Sequence, residues 1–203
     1  MQVISQSLFA LPVYAGELLE IRPHIPALID RIDTLREENR GMQASNRHAF
    51  HSMRDFHLAD DPATNTLHRS ILEFARVALE KKVSEAIGTS PWEVQLSACW
   101  AVAAEAGGFL VPHNHFPSPW AGVVYLEAEH TLEDGPESAT GCLDLLCPVP
   151  LGEAFGLSAN TVVHPRDTLA VLFPGALQHA VHPHRSRRAR YSVSFNALVK
   201  PKK

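Results

Sequence analysis

Two histidines stand one residue apart, His113-Asn114-His115, at the end of the apolar run Gly108-Phe109-Leu110-Val111. Side chains alternate along a strand, so both imidazoles project from one face. Neutral imidazoles are transition-metal ligands, and a pair on one face needs a third donor from elsewhere in the chain. His179, in Phe173-Pro174-Gly175-Ala176-Leu177-Gln178-His179-Ala180-Val181, is the best candidate, because in a jelly roll such a late strand can lie beside an early one. The bland alternative is a set of surface histidines, since so short a motif specifies function loosely. His182 and His184 flank Pro183 before a charged turn and read as solvated.

A second group lies near the C-terminus. In Arg190-Tyr191-Ser192-Val193-Ser194-Phe195-Asn196-Ala197 one face is Tyr, Val, Phe, Ala and the other Arg, Ser, Ser, Asn. Such alternation describes a half-exposed antiparallel strand with a wet face. It equally describes a cavity wall on which Arg190 offers its planar fork to a carboxylate and Ser192 adds a hydroxyl. Arg190 follows His179 by eleven residues, enough for a strand to end, turn through Arg185-Ser186-Arg187-Arg188 and return alongside. Together these features suit a metal that chelates an organic acid.

The elements that must position these groups are helical in front and strand-rich behind. Ile25, Leu28, Ile29, Ile32 and Leu35 recur at helical spacing, and the run ends at Asn39-Arg40-Gly41. A polar, His-rich stretch follows to about Asp61. A second helix starts at Pro62, suited to a first turn, and stops at Gly88. Its broad apolar stripe is expected to cover a sheet. From Trp92 the period becomes two: Val94, Leu96, Ala98, Trp100 and Val102 alternate with Gln95, Ser97, Cys99 and Ala101. Further strands are expected over 108–115, 120–128, 140–146, 161–163, 168–173, 177–182 and 190–198, with a break at Gly107-Gly108. Short strands with closely spaced turn signals imply a sandwich or jelly roll rather than βαβ units. The expectation is one domain over 1–203, with a helical front (1–90) packed on a β core (91–200).

Composition excludes some functions. A net charge of −4 gives no electrostatic reason to expect nucleic acid or an anionic membrane as partner. No apolar run approaches the roughly 20 residues that span a bilayer. The N-terminus lacks a basic region and a cleavage site, and three cysteines without a CxxC fit a reducing compartment, so a cytoplasmic protein is expected. A homodimer stays compatible with these features.

The order and spacing of the motifs over residues 92–199 resemble the bacterial 2-oxoglutarate–Fe(II) oxygenases, distant relatives of the prolyl hydroxylases. That family's pattern runs His-x-His-Pro, Trp-Ser-Gly-Val-Tyr-Tyr, Asp-Pro-Arg, Phe-Pro with a histidine five residues after the proline, and Arg-x-Ser-x-Ser-Phe-Asn. Matching it are His113-Asn114-His115, Trp120-Ala121-Gly122-Val123-Val124-Tyr125, Phe173-Pro174 with His179, and Arg190 to Asn196. The resemblance implies a double-stranded β-helix (jelly roll) covered by about two helices, Fe(II) on His113, His115 and His179, and 2-oxoglutarate held by Arg190 with Ser192 and Tyr125. It implies oxidative decarboxylation of 2-oxoglutarate coupled to hydroxylation of a small-molecule or peptide substrate. Trp100, Trp120 and Phe116 are candidate walls of the substrate cleft, with core packing the competing role.

Departures are informative. Phe116 stands where the family has proline, and Cys147-Pro148-Val149 replaces Asp-Pro-Arg. Many such oxygenases carry His-x-Asp or His-x-Glu. If His115 is the second ligand, the donors are three neutral imidazoles, a set shared with catalytic zinc sites, so iron, zinc and nickel all stay open. Asp144 and Glu127 are alternative carboxylate ligands should His115 turn away. Two other classes compete. Gly107 with His113 and His115 matches the opening of a cupin metal motif, although Pro119 and Trp120 stand where its glutamate belongs; a cupin-like isomerase or dioxygenase needs no 2-oxoglutarate. The other is a non-catalytic β-sandwich binding a small ligand.

Overall fold

The computed structural model describes residues 11–38, 41–88, 90–128, 138–148 and 160–202. Two helices precede most of the strands. Helix α1 spans Ile25–Glu37, and α2 spans Pro62–Ile87. At the start of α2 the Asp61 carboxylate accepts a hydrogen bond from the Thr64 amide at 2.9 Å, satisfying one orphan donor of the first turn. Both boundaries agree with those expected from the sequence. Among the described residues no helix is long and apolar enough to cross a membrane.

The strands are β1 (Tyr14–Glu17), β2 (Asn46–His51), β3 (Trp92–His113), β4 (Trp120–Glu127), β5 (Leu143–Leu146), β6 (Asn160–Val163), β7 (Leu169–Pro174), β8 (His179–Val181) and β9 (Arg190–Pro201). They form one antiparallel sheet in the order β1-β7-β4-β9-β3-β8-β5-β6, with β2 also paired to β3. The sheet curls over itself as the double-stranded β-helix expected. One core lies between the helices and the sheet, where Leu28, Ile32, Leu67 and Ile71 meet Val124, Leu172, Val193 and Phe195. A second lies inside the curl, with Tyr125, Leu143, Val171, Phe173 and Val181. The Tyr191 hydroxyl donates to Asp33 of α1 at 2.9 Å and ties helix to sheet.

Several local expectations are corrected. The polar stretch before Asp61, for which no element was expected, contains β2, and β1 also forms ahead of α1. Gly107-Gly108 is no break. Strand β3 runs through it, with Gly107 at φ +84°, where a residue with a Cβ would be strained. The alternation read from Trp92 also changes phase. A register shift between Leu96 and Ala98 turns Val94 and Leu96 to the helices but Ala98, Trp100 and Val102 to the opposite face. One extra residue in a two-residue period exchanges the faces. The turn signal at Asp134-Gly135-Pro136 lies outside the described residues.

Candidate functional site

Strand β3 carries His113 to its last position, where its Cα partner across the antiparallel ladder is His179 of β8. His115 lies beyond the end of β3, so it reaches the same face by a different route from the simple alternation expected. Its amide donates to the Gly175 carbonyl at 2.7 Å, and its own carbonyl accepts from the Ser118 amide at 2.8 Å. Gly175 is obligatory here, because a Cβ on it would overlap the Ser118 carbonyl. The three rings converge. Centroids are 4.3 Å apart for His113–His179, 4.9 Å for His115–His179 and 5.4 Å for His113–His115. One ligand atom from each lies within 4.8 Å of the other two.

Each imidazole is held in the tautomer that a metal requires. Nδ1 of His113 lies 2.8 Å from the Val111 carbonyl, Nδ1 of His179 lies 3.0 Å from the Leu177 carbonyl, and Nδ1 of His115 lies 2.6 Å from Oδ1 of Asn196. A carbonyl oxygen only accepts, so each Nδ1–H donates and each Nε2 keeps its lone pair. Such outer partners orient the ring and raise its basicity as a ligand. Asn196 is the functional residue that the sequence reading left without a role; its signal was its place at the end of the Arg-x-Ser-x-Ser-Phe-Asn motif. Three imidazoles are a donor set of the kind that holds a transition ion about 2.1 Å from each nitrogen. Among the described residues no carboxylate joins it. Asp144 lies 3.4 Å from His182 and Glu127 pairs with Arg188, which disposes of both as ligands.

Burial keeps the triad neutral. Desolvation pulls His115 down to about 4 and His179 to about 3, and also lowers His113. Unfolded imidazoles titrate near 6.5, so between these values the unfolded chain binds more protons than the folded one and stability rises with pH. The melting temperature of metal-free protein should therefore fall as pH is lowered from about 6.5 towards 4. In calorimetry the double variant His115→Gln/His179→Gln should show a shallower fall. An equal slope in both proteins would show that the triad carries no such linkage.

The triad opens into a cavity of about 680 Å³. The polar face of β9 is not a wet surface, because Arg190, Ser192, Ser194 and Asn196 all line this cavity while Tyr191, Val193, Phe195 and Ala197 pack in the core. Arg190 is 2% exposed, its guanidinium carbon sits 5.8 Å above the Tyr125 ring, and its Nε has no partner. No carboxylate pairs with it among the described residues. Ser192 is likewise buried and registers against Val102 on β3 and Tyr125 on β4. Strand β9 does not return beside β8 as expected. Both pair with β3, which separates them and carries His113. Trp100 lines the cavity, stacks on His51 at 5.5 Å and lies 5.3 Å from His115. Phe116 stands 77% exposed at its edge. Trp120 instead packs against Tyr14 and the main core, the competing role foreseen for it. His184 corrects the solvated reading: it is fully buried, with Nε2 2.6 Å from the Arg188 carbonyl. His182 is partly buried beside Asp144.

Residues 98–196 match the family model described as "Putative 2OG-Fe(II) oxygenase". The matched span holds all three histidines and Arg190, and over it the chain is similar to this family. No curated protein matches it in sequence. Among solved structures, a Pseudomonas putida prolyl-4-hydroxylase is similar at 14% identity and TM-score 0.61, covering 94% of this chain and 93% of that one. HygX from Streptomyces hygroscopicus, with nickel and 2-oxoglutarate bound, is similar at 13% identity and TM-score 0.57, covering 94% and 83%. The non-heme alpha ketoglutarate dependent epimerase SnoN from nogalamycin biosynthesis is similar at 13% identity and TM-score 0.65, covering 94% and 80%. At these identities the likeness is one of fold.

Proposed function

We propose that the protein is an Fe(II)- and 2-oxoglutarate-dependent oxygenase. The observation that carries this reading is Arg190, a buried cation on the wall of the triad's cavity that has no carboxylate partner among the described residues. Burying an unpaired charge costs several kcal/mol, so a carboxylate supplied by a ligand is its natural partner. His113, His115 and His179 would hold the metal through Nε2. Arg190 binds the distal carboxylate of 2-oxoglutarate through its fork, the Ser192 hydroxyl donates to the same group, and the Tyr125 ring supports the guanidinium from below. With iron and 2-oxoglutarate bound, the centre supplies oxidative decarboxylation coupled to attack on a substrate C–H bond. The protein's part is to orient both reactants and keep water out of the cavity.

A neutral donor set leaves the ion its full charge, which the 2-oxoglutarate dianion balances. The same set favours a second reading, because three imidazoles without a carboxylate also suit a metalloenzyme of cupin type that does not use 2-oxoglutarate, or a site that only binds a small acid. An anaerobic titration with Fe(II) and then 2-oxoglutarate separates them. The oxygenase is expected to develop a visible metal-to-ligand charge-transfer band that saturates with 2-oxoglutarate. Tight iron binding with no band and no heat on adding 2-oxoglutarate would transfer the assignment to the second reading.

A further inference from the structure

The cavity has two arginines and, among the described residues that line it, no aspartate or glutamate. Arg190 is accounted for above; Arg54 is not. Arg54 comes from the segment between β2 and α2. Its backbone is anchored, since its carbonyl accepts from the Cys99 amide at 3.0 Å. Its guanidinium carbon lies 5.9 Å from the Trp100 ring centroid, and Trp100 in turn sits beside His115. Arg54 forms no ion pair among the described residues, and its neighbour Asp55 lines a different, smaller cavity with Arg31 and Phe56. An arginine fork over an aromatic face is poised for an oxyanion, because stacking holds the plane while the N–H edges stay available.

Charge balance gives the sign of the missing partner. A divalent ion with Arg190 exceeds the charge of one 2-oxoglutarate dianion, so with Arg54 the loaded cavity stays cationic although the whole chain is acidic. We infer that the substrate is a small organic oxyanion whose carboxylate or phosphate docks on Arg54 above Trp100, with the rest of the molecule directed towards the histidine triad. This inference rests on the oxygenase reading, which supplies the charge of the loaded site.

The test uses the full chain loaded with Zn(II) and 2-oxoglutarate, in which binding is read without turnover. Three pools are compared by ligand-observed saturation-transfer NMR: N-acetyl amino acids as free acids, the same compounds as primary amides, and phosphate monoesters of similar size. Free acids or phosphates should bind at least about tenfold more tightly than amides, and Arg54→Gln should reduce that ratio to about twofold or less. Which of the two anionic pools is preferred assigns the oxyanion. Equal binding of acids, phosphates and amides, a preference that survives Arg54→Gln, or no binding from any pool overturns the inference. Failure of the wild-type protein to bind 2-oxoglutarate, measured first, overturns the oxygenase reading instead.

Discussion

Alanine at His113 or His179 is expected to abolish metal binding, with an affinity loss greater than about a hundredfold. Removing an outer partner alone costs roughly 10–100-fold, and here a ligand itself is removed. His179 is 4% exposed, so no other described donor moves easily into its place. Asn196→Ala should show the smaller loss of roughly 10–100-fold, because it releases the His115 ring without deleting its Nε2. His115→Asp should keep iron, since it creates the carboxylate facial set common in non-haem iron proteins. Calorimetric titration with Fe(II) under anaerobic conditions measures all four, and the metal-induced rise in melting temperature provides a second reading of the same order. Wild-type affinity in His179→Ala would dismantle the site, whereas complete loss of iron in a folded His115→Asp would argue against a facial arrangement.

Arg190 carries the second large effect. Removing the charged partner of a buried carboxylate costs about 3–5 kcal/mol, or a few hundredfold or more in affinity. Arg190→Met should therefore lose 2-oxoglutarate to that extent. Arg190→Lys keeps the charge but not the bidentate geometry and should fall in between. Iron affinity should survive both, because Arg190 is not a ligand. Stability gives an independent check. Without ligand, the guanidinium is a buried charge with no carboxylate partner among the described residues, so Arg190→Met should leave the melting temperature of the metal-free protein unchanged or raise it. A marked drop on that substitution would mean that Arg190 serves the sheet rather than a ligand. Equal 2-oxoglutarate affinities in wild type and both variants would remove the carboxylate clamp.

The likeness to SnoN bears on how far the fold can be pressed. That protein is described as an epimerase and the Pseudomonas putida one as a prolyl-4-hydroxylase, yet both share this chain's architecture. Reaction and substrate reside in the residues around the metal, which is why Arg54, Trp100 and Arg190 are the positions to change.

Much of the molecule is legible in the chain alone, for identifiable reasons. Helix α2 announces itself through Asp61, Pro62 and Gly88, whose preferences at helix ends are local. The two faces of β9 follow from strict alternation, and so does the assignment of Arg190 and Ser192 to one side. The triad was identified from an HxH pair and a late-strand histidine, both short-range patterns. What local pattern cannot carry is pairing and phase. Strand β2 is mostly polar and takes its place by pairing with β3, with Ala49 and Phe50 packed on the neighbouring clusters. The irregularity after Leu96 puts Trp100 on the cavity side while Val94 and Leu96 face the helices, and no residue there advertises the change of phase. His184 has the sequence neighbours of a solvated residue but is fully buried, its backbone hydrogen-bonded to Gly107 and Gly108 of β3. Above all, the sign of the polar face of β9 depended on tertiary structure. Arg190 on an edge strand would be hydrated and inconsequential; placed between β3 and β4 it is a buried cation on the same cavity as three imidazoles, and that placement is what supports the role proposed for it.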